Sequence, residues 1–79
     1  MLRAKERRLI VAFYTTHDAM AFEDFCLSRG AEGRLIPLPR EISAGCGLAW
    51  SAPPGDRAAL EELLSQAGIT PEHVRALEV

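Results

Sequence analysis

The sequence has no apolar run approaching the ~20 residues that a membrane span requires. Its most apolar stretch, residues 9–14, is short for the core of a secretory leader, and no small-residue cleavage site follows it. A cytoplasmic location is expected. There are two cysteines, Cys26 and Cys46. Two are too few for a disulfide framework, and their spacing fits no zinc motif. No metal or cofactor is expected. The chain also lacks a basic excess. It has 9 Lys and Arg against 11 Asp and Glu, for a formal charge of −2, whereas a nucleic-acid binder shows basic residues clustered on one face. The basic residues concentrate over residues 3–8, which could meet an acidic partner or RNA but read more simply as a solvated tail. No nucleic-acid partner is expected. There is no phosphate loop, no glycine-rich dinucleotide fingerprint, no Ser-His-Asp order and no recognisable carboxylate pair.

What is present is ordinary globular material. The chain has 79 residues, 48% hydrophobic and 25% charged, enough for one domain with a thin core. Residues 1–7 read as a basic extension and 8–79 as the domain. Residues 8–14 are rich in branched and aromatic side chains, which predicts a central strand covered on both faces. Thr15, Thr16 and Asp18 supply helix-start chemistry. Over 17–29, Ala19, Phe22, Phe25, Cys26 and Arg29 recur at three- and four-residue steps, predicting a helix that Gly30 ends.

A second strand is expected at 33–37, confined to a sheet edge or stopped by Pro37 and Pro39, which lack amide donors. A third follows at 47–52, with Leu48 and Trp50 on one face. Pro53, Pro54 and Gly55 break the chain, and Asp56 is a candidate N-cap for a helix over 57–67 with Leu60, Leu63, Leu64 and Ala67 inward. Glu61 and Glu62 read as solvated charges. Residues 73–78 alternate as a last strand anchored by Val74 and Leu77. The order β-α-β-β-α-β predicts an α+β, ferredoxin-like sandwich: a four-stranded antiparallel sheet with two helices on one face.

The segment 37–47 holds the candidate chemistry. Gly45 and Gly47 remove bulk on both sides of Cys46 and permit backbone angles closed to other residues. Such a loop can leave a thiol exposed, and its amides can converge on an anion such as a thiolate or persulfide. Arg40 would add positive charge if the loop folds back. The alternative is that Cys46 is a small buried apolar side chain opening the third strand. Cys26, on the apolar stripe beside Phe22 and Phe25, reads as core, with a Cys26–Cys46 redox pair left open. His17, at the start of the first helix, could act as a base or steady a thiolate, or be merely exposed. His73 reads as surface.

Arg34, Ile36, Pro37, Pro39, Arg40, Ile42, Ser43, Cys46, Gly47 and Ala49 fit the pattern R-x-I-P-x-P-R-x-I-S-x-x-C-G-x-A. This segment resembles the signature of a family of small bacterial domains described as selenium/sulfur carrier protein-like. The entry from the first strand into Thr16, His17, Asp18 and Ala19 is also similar, and the likeness covers roughly residues 8–78. The chain departs from the pattern in its charged N-terminal extension and at Trp50, where an aliphatic residue is more usual.

The resemblance implies an α+β sandwich and a carrier or accessory protein rather than a stand-alone enzyme. Cys46 would hold sulfur or selenium as a persulfide or perselenide, assisted by Arg40 and His17, with Ser43, Gly45 and Gly47 as binding residues. The partners it implies are a donor enzyme such as a cysteine desulfurase and an acceptor protein. Peripheral contact with a membrane transporter and a homodimer are left open. Two other readings stand beside it: a non-catalytic binding or regulatory module, and a thiol enzyme or redox sensor pairing Cys46 with His17 or Cys26.

Overall fold

The computed structural model describes residues 6–79. Strand β1 (Arg7–Ala12) leads into helix α1 (Thr16–Ser28), followed by β2 (Arg34–Pro37), β3 (Leu48–Ala52), helix α2 (Arg57–Ala67) and β4 (His73–Glu78). The four strands form one antiparallel sheet in the order β2-β3-β1-β4. With two helices this is the ferredoxin-like α+β arrangement expected. No helix among the described residues is long and apolar enough to cross a membrane.

Local chemistry explains the elements and their limits. The apolar run becomes the central strand β1, but it stops at Ala12 rather than at residue 14. Past that point the Phe13 carbonyl accepts from the Cys46 amide at 3.2 Å instead of continuing a ladder. Thr15 is extended (φ −137°, ψ 155°), and its hydroxyl accepts from the Asp18 amide at 3.1 Å, so α1 starts at Thr16, one residue earlier than the pattern suggested. Asp56 stands at the N-cap of α2 without capping it through its side chain; a short 3-10 turn, Pro54–Asp56, feeds the helix instead. Both helices end at glycines in the left-handed region, Gly30 (φ 67°) and Gly68 (φ 71°). The proline-bearing β2 is an edge strand, as a strand short of amide donors must be.

The basic extension is only partly within the described residues, since residues 1–5 lie outside them. Arg7, expected in the extension, joins Arg8 in β1. Arg8 Nε donates to Ser51 Oγ at 3.0 Å, and Glu6 and Val79 exchange backbone hydrogen bonds beyond the β1–β4 ladder.

Strand alternation divides the core in two. On one face, Leu9, Val11, Trp50 and Ala52 pack with Phe13 and with Ala19, Phe22 and Cys26 of α1 and Leu60 and Leu64 of α2. Phe22 stands between Phe13 and Trp50, with ring centroids at 5.6 and 5.8 Å. Trp50 is therefore a core residue, although its indole N–H has no hydrogen-bond partner among the described residues. On the other face, no helix among the described residues covers Ile10, Ala12 and Ala49. The loop between β2 and β3 covers them, through Ile42 with Leu38 and Ala44 beside it. That loop starts at the β2 edge and reaches β4 at the opposite edge, three strand spacings or about 14 Å away. It then rounds the end of β1 and enters β3, and Cys46 lies on this last stretch.

Candidate functional site

Cys46 sits two residues before β3, where the loop has crossed to the helix side of the sheet. Its side chain is 1% exposed, so the thiol is sealed beneath the surface rather than presented on it. It is not in a purely apolar environment. The Leu48 amide donates to Cys46 Sγ at 3.3 Å, and the thiol donates to Thr16 Oγ1 at 3.7 Å. Thr16 is the first residue of α1, so the sulfur lies at the amino end of that helix, whose first amides have no intrahelical partner. The polar groups that face the sulfur are therefore one backbone amide and one hydroxyl, at the start of a helix.

The two flanking glycines have different roles. Neither adopts a positive φ, so the backbone latitude that glycine permits is not drawn on in this conformation. Gly45 is required by a close approach: a Cβ there would lie inside contact distance of the Tyr14 carbonyl oxygen, on backbone that cannot yield. At Gly47 a Cβ would meet nothing within 4 Å. Space and backbone angle both leave Gly47 free to be another residue, and it is exposed beside the thiol.

The structure does not bring the expected assistants to the sulfur. Arg40 is exposed in a turn closed by the Ile42 amide on the Pro39 carbonyl at 3.1 Å, within the stretch that packs on the opposite sheet face. Among the described residues it makes no hydrogen bond or ion pair. The loop does fold back, but it turns Ile42 inward and leaves Arg40 in solvent. His17 is exposed on α1 and makes no bond to the thiol; its neighbour Thr16 does. Ser43 is exposed and contributes its carbonyl to the fold.

Cys26 is fully buried, and burial pushes its thiol up to about 11, with Arg29 pulling slightly the other way. Both cysteines are free. Ten residues of helix separate Cys26 from the Thr16 that touches Cys46, about 15 Å along the axis, so a disulfide between them would need the backbone to move. Among the described residues, no group of three or more His, Cys, Asp or Glu could hold a metal ion.

Sequence reasoning missed the residues that hold the loop. Glu72 Oε1 accepts from the Gly45 amide at 3.0 Å, and Glu72's own amide donates to the Ala12 carbonyl at 2.8 Å. His73 is not a bare surface residue: its Nε2 lies 3.0 Å from the Ser43 carbonyl and 3.8 Å from Glu72 Oε2. Arg75 Nη1 donates to the Glu41 carbonyl at 3.2 Å. Their partners in the loop lie 27 to 34 residues earlier in the chain. The nearest local signal is the charged run Glu72, His73, Arg75 at an edge strand, where it reads as edge protection.

A family model described as "Putative Se/S carrier protein-like" matches residues 8–75. No curated protein and no solved structure matches the chain.

Proposed function

Since the chain belongs to the Se/S carrier protein-like family, we propose that it carries a sulfur or selenium atom on Cys46 between partner proteins. The observation that supports this reading most is the setting of the sulfur. Within the segment that fits the family pattern, the one cysteine has an amide donor, a hydroxyl and a helix amino terminus around it.

In the loading step the Cys46 thiolate attacks the terminal sulfur of a donor enzyme's persulfide. The donor's S–S bond breaks, its cysteine leaves as a thiolate, and a new S–S bond forms on Cys46. The thiol proton goes to the departing thiolate through solvent, and no external oxidant is needed. Unloading is the same exchange in reverse: an acceptor nucleophile takes the terminal sulfur, and the Cys46 thiolate departs. The Leu48 amide and the amino end of α1 stabilise that departing charge. Perselenide transfer has the same electron count. Arg40 and His17 take no part at the sulfur in this account. Exposed on the same molecule, they are candidates for contacting a partner.

The test is incubation with a cysteine desulfurase and cysteine, followed by intact mass. A one-sulfur increase that a reductant removes is expected. No increase, on protein whose Cys46 alkylates readily, would overturn the reading. One observation favours a non-catalytic binding module instead: the near-complete burial of Cys46. Under that reading Cys46→Ser would fully replace the wild type in a deletion strain.

A further inference from the structure

A carrier thiol must meet a donor and an acceptor, yet Cys46 is 1% exposed. The loop around it is fastened in two different ways. Ile42, 4% exposed, is buried in the second cluster, and Leu48 opens β3; these are fixed ends. Between them, Ser43, Gly45 and Gly47 are all exposed. This stretch is also held by the Cys46 amide on the Phe13 carbonyl at 3.2 Å and by the Leu38 amide on the Gly47 carbonyl at 3.0 Å, which opening must break as well. On the β4 side it is held by solvent-exposed bonds: Glu72 to the Gly45 amide and His73 to the Ser43 carbonyl. Such bonds break locally at small cost, whereas the buried ends open only with the fold.

We propose that residues 43–47 form a strap that opens between Ile42 and Leu48 to expose the Cys46 thiol, with Glu72 and His73 as the latch that sets how often it opens. The strap takes its purpose from the carrier reading, while its existence is tested separately. Arg75 holds Glu41, on the fixed side of Ile42, and is not part of the latch. Gly47 fits the same device. It has no steric or backbone requirement where it stands, and it lies next to the sulfur in the stretch that moves.

The test is native-state labelling of the full chain with N-ethylmaleimide, with each cysteine peptide quantified separately by mass spectrometry. In the wild type, the Cys46 rate is expected to be nearly flat in urea below the unfolding transition, while the Cys26 rate climbs steeply. Glu72→Ala and His73→Ala should each raise the Cys46 rate about five- to tenfold, the effect of losing one hydrogen bond, and leave Cys26 within about twofold. Glu72→Gln, which keeps an acceptor for the Gly45 amide, should stay near wild type.

Cys46 and Cys26 accelerating together would overturn the strap, because the variants would then be loosening the whole fold. So would a Cys46 rate untouched by both alanine variants, or one with the same urea dependence as Cys26. A protein that passes this test and takes up no sulfur would keep the strap and lose the carrier. One that takes up sulfur and fails this test would do the reverse.

Discussion

Cys26 and Cys46 are both free, both nearly inaccessible and both in the same core cluster, but they differ in almost everything that matters to a sulfur atom. Cys26 is on the inner face of a helix beside Phe22 and Ala19, where burial, partly opposed by Arg29, raises its thiol to about 11. Cys46 is in a loop with an amide donor and a hydroxyl at its sulfur and exposed neighbours on both sides. Burial thus does not separate a structural cysteine from a candidate carrier. The polar groups aimed at the sulfur, and the way its backbone is fastened, do.

The comparison can be broken from either side. The largest effect is expected at Gly45→Ala, where the added Cβ meets the Tyr14 carbonyl. It should cost about 3 kcal/mol in chemical denaturation, in the range of overpacked sites, and should disturb Cys46 before Cys26.

Next comes alkaline pH. A thiol raised in the folded state keeps its proton while the unfolded chain releases one. Its stabilising effect is therefore complete below the ordinary value of 9.0 and is lost as pH climbs to about 11. Stability should fall by about 2 kcal/mol across that window, and the fall should be absent in Cys26→Ala. A fall that persists in Cys26→Ala would place the titrating group elsewhere.

Serine substitution then compares the two sites directly. Cys26→Ser places a hydroxyl among apolar side chains and should cost about 2 kcal/mol. Cys46→Ser offers that hydroxyl Thr16 and the Leu48 amide and should cost under about 1 kcal/mol. Equal costs would mean that the polar groups around Cys46 count for little. Smallest is Gly47→Ala, expected within about 0.5 kcal/mol of wild type; a larger loss would show a packing role that the open space around Gly47 argues against.

Most of the fold was legible because each element carries its own local signal. The apolar run marked β1, Thr15 and Gly30 bracketed α1, and Pro37 and Pro39 placed β2 at an edge. The same holds for the position of Cys46 just ahead of β3. The error at the end of β1 has a simple cause: Phe13 and Tyr14 are apolar enough to read as strand. Their backbone instead serves Cys46 and Gly45, contacts between residues more than thirty positions apart.

The surroundings of the thiol were not legible for the same reason. Glu72 and His73 reach the loop only because β4 lies beside β1 and the loop crosses the whole sheet. Arg40, the nearest cation in sequence, was the natural candidate partner, but burying Ile42 two residues later decides which way the loop turns. The predicted start of the first helix pointed to His17; the structure puts its neighbour Thr16 against the sulfur instead.

The most direct test of the central claim is site-resolved. Load the protein with a cysteine desulfurase and cysteine, trap the products, and map sulfur adducts on the two cysteine peptides. A reductant-labile extra sulfur is predicted on Cys46 and not on Cys26, and it should be lost when an acceptor thiol is added. Sulfur on Cys26, or on neither cysteine while Cys46 remains open to alkylation, would contradict the account.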